Sequence, residues 1–440
     1  MHLASLSILA LTAALVAFAA PAWSAGPVVL PVAEGWARNS VNVVIFRADP
    51  ITTYKDQQFV AYYDADGHVV IGQRTIGESS WKTTRTDLTG NVKDAHNCIS
   101  MIADGEGYLH LSWDHHGHPL RYARSKTPGS LDFEKMPMTG ITETNVTYPQ
   151  FFKLASGNLI FFYRDGASGR GNLIVNRYDV KTKTWKQLHT NFISGENQRN
   201  AYWQTCVGPD GSIHVSWVWR ESGDVATNHD LCYAVSRNGG VTWTKSDGTP
   251  YTLPITAKSA EIVSPIPQKH ELINQTSMCT DSEGRPVIAT YFRPEGTTVP
   301  QYFVIRFDGK VWKTTQVGKR TTPFSLSGGG SKQIPISRPQ VLARVNPDKT
   351  TSVHVVYRDV TANSGRAVVA SCPSIDAEKP EWKMRELTDF DVKYWEPSLD
   401  RVRWDRDGVL DLFVQVCGQG DGETLQDIPP QMVNVLEWKP

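Results

Sequence analysis

DAHNCISMIADGEGYLHLSWDHHGHPLRYARS, residues 94–125, sets two strand-like runs, NCISMIA and YLHLSW, on either side of the turn cluster Asp104-Gly105-Glu106-Gly107. Both runs are rich in β-branched, aromatic and other apolar residues, and the four between them favour a reversal of the chain. Adjacent antiparallel strands of similar length bring the start of one and the end of the other to the same sheet edge. His96, before the first run, and His115 and His116, after the second, are therefore expected to be neighbours, although twenty residues separate His96 from His116.

Much of the chain repeats this pattern. Second strands of the unit are FVAYYD (59–64), YLHLSWDHH (108–116), NLIFFYRD (158–165), SIHVSWVWR (212–220), RPVIATYFR (285–293), TSVHVVYRD (351–359) and VLDLFVQV (409–416), seven in all. A third strand follows each of them, and fourth strands are marked by Trp81, Phe133, Trp185, Trp243, Trp312 and Trp382. Six fourth strands for seven units leave one vacancy, which PVVLPVA (27–33) at the other end of the chain can fill. Residues 236–243, SRNGGVTW, resemble the Asp-box turn SxDxGxTW of sialidase-like propellers, with Asn238 in place of Asp. No segment shows sustained helical periodicity. The sequence predicts an all-β fold, a single seven-bladed β-propeller over residues 26–440 with the N-terminal strand closing the last blade, in preference to a β-sandwich pair or a β-helix.

Forty-five basic residues balance forty-five acidic ones, which gives no general reason to expect nucleic acid or an anionic membrane as partner. Residues 3–22 are apolar and small residues follow, the pattern of a secretory signal over residues 1–25, so the expected location is secreted or periplasmic. No other stretch is long and apolar enough to span a bilayer. Cys98, Cys206, Cys232, Cys279, Cys372 and Cys417 are widely spaced and form no CxxC; buried free thiols are expected.

In a propeller the starts of first strands and the ends of second strands share one face, around the axial opening, where loops from several blades converge. Those positions hold His96, Asn97, His115 and His116 in the second unit, Tyr148 and Arg164 in the third, and Tyr202, Trp203 and Arg220 in the fourth. Later units add Asn274, Gln275, Arg293 and Arg358, and Arg47 is a further candidate. Arginine pairs with carboxylate or sulfate in two-pronged fashion, and histidine and tyrosine move protons near neutral pH. No acidic pair of the kind glycoside hydrolysis needs is conspicuous, Asp114 and Asp165 being better placed to orient their neighbours. The set suits β-elimination from a uronic acid. A base takes the proton at carbon 5, an acid protonates the oxygen leaving carbon 4, and a cation neutralises the carboxylate. His96 or Tyr148 could be base and acid, with Arg164 the neutraliser.

DAHNCISM, YLHLSWDHHGHPLRYARS, TYPQFF, LIFFYRDGASGRG, AYWQT, IHVSWVWRES, NHDLCYA and ELINQTSM resemble the propeller lyases that degrade ulvan, polysaccharide lyase families 24 and 25. The order His, His, Tyr, Arg, with its twenty- and sixteen-residue spacings, resembles family 25 most. The resemblance implies endolytic cleavage between sulfated rhamnose and a uronic acid, leaving an unsaturated uronyl end. It gives His96 and Tyr148 the base and acid roles and gives Arg164, helped by His116, the carboxylate. Tyr202 assists, and Asn97, His115, Arg220, Asn274, Arg293 and Arg358 are expected substrate contacts. Of His115 and His116, the spacing favours the latter as the one facing inward.

Elimination requires no cofactor. A structural zinc is suggested by His214, His229, Cys232, His270 and Cys279, which supply imidazole and thiol ligands from successive blades. The expected partner is an acidic sulfated polysaccharide, with no nucleic acid and no membrane, and the chain is expected to act as a monomer. Competing readings are a sialidase-like hydrolase, a non-catalytic glycan-binding propeller and an enzyme cleaving rhamnose from glucuronic acid.

Overall fold

A strand covered on both faces has no reason to alternate, and the middle strands here do not: Gln57–Tyr63 is buried from its second residue onward. The two faces nevertheless serve different neighbours. Phe59, Ala61 and Tyr63 pack with Met101, Leu109 and Leu111 of the next sheet, while Val60 and Tyr62 pack with Leu412 and Val414 of the sheet on the other side. This is the two-residue period of a strand read into two separate cores, and it arranges the sheets radially.

The computed structural model describes residues 26–440; the leader expected over residues 1–25 lies outside them. Seven antiparallel sheets form the propeller. The first blade comprises Ile51–Tyr54, Gln57–Tyr63, His68–Thr75 and Lys82–Thr89, paired in chain order. Later blades repeat that order, and the last is closed by Val28–Gly35, which pairs antiparallel with Gln431–Trp438. The closing strand is an edge, and Pro31, which cannot donate to a ladder, sits at its register shift.

Three features depart from the sequence reading. The fourth blade's outer strand is Glu261–Ser264, not the segment around Trp243; Trp243 is buried in the turn that precedes it. In that turn Asn238 accepts from the Thr242 amide at 2.9 Å and donates to the Thr242 hydroxyl at 2.8 Å, while the Trp243 indole donates to Gly240 O at 3.0 Å. Arg401–Asp407 is a short helix between the first two strands of the last blade. Asp400 caps it at one end and Gly408 ends it in the left-handed conformation, φ 65°. Finally, His116–His118 adds a fifth strand to the third blade, pairing with Val146 and Thr147.

Polar side chains on the inner strands, among them Gln150, Gln204, Thr205, Ser277 and Gln340, line a narrow cavity inside the ring. A wider cavity of about 800 Å³ opens where first strands end, beside Asp49, Asp104, Lys153 and Arg401. None of the rim histidines, tyrosines or candidate arginines lines that one. They lie where first strands begin.

Candidate active site

A cavity of about 280 Å³ is lined by His96, His116, Tyr148, Arg164, Tyr202 and Arg220, side chains from three consecutive blades. Strand register puts them there: Asn200 pairs with Arg220 and Thr147 with Arg164, so each arginine lies late in a second strand, beside the start of its own first strand. Tyr148 is turned inward by a bulge. The register shifts between Thr147 and Gln150, and Tyr148 takes φ +58° although it carries a bulky side chain and precedes a proline. Such a backbone is costly, by about 1–3 kcal/mol, and persists only where its surroundings impose it.

The imidazoles are parallel, with ring centroids 4.0 Å apart and planes 17° apart. Asp94 holds both, accepting from His96 Nδ1 at 2.8 Å and from His116 Nδ1 at 2.6 Å. A carboxylate only accepts, so both Nδ1 atoms carry hydrogen and the Nε2 atom of a neutral ring is left as an acceptor. Glu423, from the loop before the last strand, lies 3.3 Å from His96 Nδ1. Burial opposes charge on His96, but the hydrogen bonds to Asp94 and Glu423 outweigh it and raise its pKa to about 9. Burial wins at His116, whose pKa is lowered despite Asp94. The stacked pair thus holds one proton beyond neutrality, which is what like-charge repulsion between rings in contact requires.

The two tyrosines diverge in the same way. Burial pushes the Tyr148 phenol well above its ordinary value, and its ring lies under the Arg164 guanidinium at 4.9 Å. Burial would raise Tyr202 too, but Arg164 and Arg220, within hydrogen-bonding reach of its hydroxyl at 3.4 and 3.5 Å, bring it down to about 8. Ser168 lies 2.7 Å from that same hydroxyl. One phenol therefore keeps its proton and the other parts with it readily.

The remaining candidates divide. Asn274 lines the cavity, with its carbonyl fixed by Asn228. Arg358 forms part of the wall, yet its guanidinium donates to the carbonyls of Ile334, Pro335 and Trp395. His115, between the strand that ends at Trp113 and the one that begins at His116, points into the core, where Nε2 accepts from the Arg121 amide at 2.7 Å; only His116 of the two lines the cavity. Asn97 is buried and donates to Asn91 O. Arg293 is paired with Glu271 at 2.6 Å and does not line the cavity. Arg47 is fully buried and anchors the carbonyl of Ile99, and Trp203 is a core residue. Asp114 pairs with Arg121 at 3.2 Å.

The suggested zinc ligands are not brought together. His214 contacts Ser212 and Tyr233, His229 contacts Glu221 and Asp230, and His270 contacts the Arg293 carbonyl. Cys232 and Cys279 are buried thiols whose pKa burial drives up. Among the described residues, the three-residue group whose His, Cys or carboxylate ligand atoms converge within 4.8 Å is Asp94, His96 and His116. All six cysteines are free.

The sequence reading missed Asp94, Glu423, Phe46, Arg338 and Lys332. Asp94 stands two residues before His96, a spacing that carries a signal once the histidine is singled out. Glu423 arrives from 327 residues further along the chain and carries none. Phe46 stacks on His96 at 5.7 Å, and Arg338, paired with Glu396 at 2.6 Å, covers Phe46.

A family model described as a BNR repeat-containing family member matches residues 57–320. Among curated proteins, the long isoform of ulvan lyase from Alteromonas sp. (strain LOR) is 28% identical over 274 residues, 47% of this chain and 27% of the relative. The long isoform from Glaciecola sp. (strain KUL10) is 25% identical over 203 residues, 34% of this chain and 20% of the relative. The chain thus aligns with a fifth to about a quarter of those relatives' length. Ulvan lyase of Nonlabens ulvanivorans is 22% identical over 334 residues, 67% of this chain and 68% of the relative. A solved polysaccharide lyase, PL25 ulvan lyase, bound to -[GlcA(1-4)Rha3S]- superposes with a TM-score of 0.67 at 17% identity, covering 90% of this chain and 96% of that one. At that identity the likeness is one of fold.

Proposed function

We propose, from the premise that this chain belongs to the BNR repeat-containing family, that it is a polysaccharide lyase cleaving ulvan between sulfated rhamnose and a uronic acid by β-elimination. The observation that carries this reading is the aspartate-pinned pair of imidazoles facing the same cavity as a phenol and two guanidinium groups. The curated relatives named ulvan lyase and the fold shared with a lyase holding a GlcA-Rha3S fragment support it.

Elimination needs four things of the protein, and each has an occupant. Arg164, which has no carboxylate partner among the described residues, takes the uronate carboxylate and stabilises the charge that builds on it as carbon 5 loses its proton. The imidazole pair titrates as a unit. Its neutral member accepts the carbon 5 proton at Nε2 while its charged member adds to the field on the carboxylate. The free protein holds the charge on His96, so the ring the family resemblance makes the base is the one that must first pass its charge to His116. Tyr148, whose buried phenol keeps its proton, donates to the glycosidic oxygen as the bond at carbon 4 breaks and the carbon 4–carbon 5 double bond forms. Tyr202, whose hydroxyl lies 3.4 Å from Arg164, orients that arginine and the incoming carboxylate.

The cleavage is endolytic in this proposal, and the apolar N-terminal stretch directs the chain to a secreted or periplasmic location where the polymer is met. Incubation with ulvan should raise absorbance at the unsaturated-uronate band and release a spread of oligosaccharide sizes. Reducing ends without absorbance would mean hydrolysis, and retained binding without either would mean a lectin. Replacing His96 by Ala or Tyr148 by Phe should lower kcat about 10²–10⁴-fold with the melting temperature little changed. Near wild-type rates in both variants would remove these residues from the chemistry.

A further inference from the structure

The cavity carries more positive charge than one uronate can answer. Its lining holds five permanent cations, Arg164, Arg220, Lys332, Arg338 and Arg358, against a single carboxylate, Glu396. Glu396 is taken by Arg338, and Arg358 donates to backbone carbonyls. Arg164 and Arg220 converge on Tyr202. Lys332 lies on the loop that also bears Arg338, six residues further on, and among the described residues it makes neither an ion pair nor a hydrogen bond. Asp224 is near enough for Arg220 and Lys332 to help lower its pKa, but its Oδ1 accepts from the amides of Ala226 and Gly328.

The loop that presents Lys332 is built to stay over the opening. It joins the fifth and sixth blades between Val317 and Gln340 and contains SGGGSK, residues 327–332. Gly328 O accepts from Val225 N at 3.0 Å and Gly328 N donates to Asp224 at 2.6 Å, tying the loop to the fourth blade. On the other side Ser331 N donates to Glu423 at 2.9 Å, Ser331 O accepts from Gly422 N at 3.0 Å, and Gln333 N donates to Asp421 at 2.8 Å, tying it to the seventh. A Cβ at Gly329 would lie 3.2 Å from Gly223 O, and one at Gly330, where φ is +71°, 3.2 Å from Gly422 Cα. Glycine at both positions lets the three backbones meet this closely without a Cβ pressing on a neighbour. The result is a strap fastened at both ends that carries one unpaired ammonium into the wall of the cavity and, through Glu423, touches the partner of His96.

We infer that Lys332 and the strap that carries it form a subsite for a sulfate ester on the sugar next to the reacting uronate. This rests on the lyase reading and adds to it the group that recognises the second anion of the repeat. A compact ammonium with three donors suits the tetrahedral oxygens of a sulfate, whereas the planar guanidinium of Arg164 suits a carboxylate. Placing a sulfate there also offsets the excess of positive over negative side chains along this wall.

The test compares ulvan with chemically desulfated ulvan for the wild type, Lys332→Ala and Lys332→Arg, reading KM from the unsaturated-uronate absorbance and polymer affinity from affinity electrophoresis. The wild type should favour the sulfated polymer. Lys332→Ala should cut that preference, the ratio of KM values, about tenfold or more, with the effect in KM rather than kcat, and Lys332→Arg should keep most of it. A Lys332→Ala protein that melts like the wild type and keeps the full preference, or loses the same factor on both polymers, overturns the subsite. Absence of absorbance from the wild type on either polymer, with affinity still dependent on sulfate and on Lys332, overturns the elimination reading and leaves the subsite standing.

Discussion

At the level of single residues, proton ownership decides what this cavity can do, and it is set by partners far away in the chain. His96 has its pKa raised to about 9 by Asp94 and Glu423 against the effect of burial, so it is charged at neutral pH and loses its proton as the pH climbs through that value. If the charged ring assists the carboxylate, kcat/KM falls along an alkaline limb near pH 9. Glu423→Gln removes one of the groups that hold the proton on, so the His96 pKa drops and the limb moves to lower pH, by about one unit. A pH profile of kcat/KM that keeps its alkaline limb in this variant would show that His96 is not the group being titrated. His96, His116, Tyr148, Arg164 and Tyr202 were legible in the sequence because the ends of paired strands are predictable places. Glu423 was not, because a 3₁₀ turn at Asp421–Glu423 inside an irregular loop has no periodicity that ties it to a histidine across the ring. His115 illustrates the opposite failure, a residue of the right type that an irregular connection, with Asp114 at φ +64°, turns into the core.

Single elements show how closely local pattern and local structure agree, and where they part. The turn at residues 236–243 forms the hydrogen bonds its resemblance to an Asp-box suggests, with Asn238 serving in place of aspartate because the contact uses its carbonyl oxygen as acceptor and its amide as an added donor. Asn238→Ala should destabilise the fold by about 1–2 kcal/mol, seen as a lower urea midpoint, with kcat on ulvan unchanged; a lost kcat would place the turn in the functional machinery. The same turn misleads about the blade, since a tryptophan marks the outer strand in other units and here sits before it, Glu261–Ser264 supplying the strand. Tyr148 is the element-scale counterpart at the site. Its position before the TYPQFF strand was readable, but the φ of +58° that aims it inward comes from a bulge imposed by two partners, Leu159–Ala167 on one side and His116–His118 on the other.

Across the whole molecule, closure is what turns seven marginal sheets into one structure. Val28–Gly35 supplies the outer strand of a blade whose other three strands come from the opposite end of the chain, pairing residues as distant in sequence as Val28 and Glu437. A chain beginning at Trp36 leaves the Gln431–Trp438 ladder open; its melting temperature should fall by at least about 5 °C and its tendency to aggregate should rise. An unchanged melting curve would mean that the ring does not depend on this fastening. By itself, the sequence determined the seven-fold repeat, the donated strand and which residue types stand at the rim, because strand alternation and turn chemistry are local and leave their period in the chain. Tertiary structure alone decided which rim residues face one another, that Asp94 and Glu423 hold the imidazoles, that His214, His229, Cys232, His270 and Cys279 stay apart, and that a glycine strap sets Lys332 over the opening. Those outcomes depend on distances between blades, on bulges and on irregular loops, and no spacing along the chain encodes them.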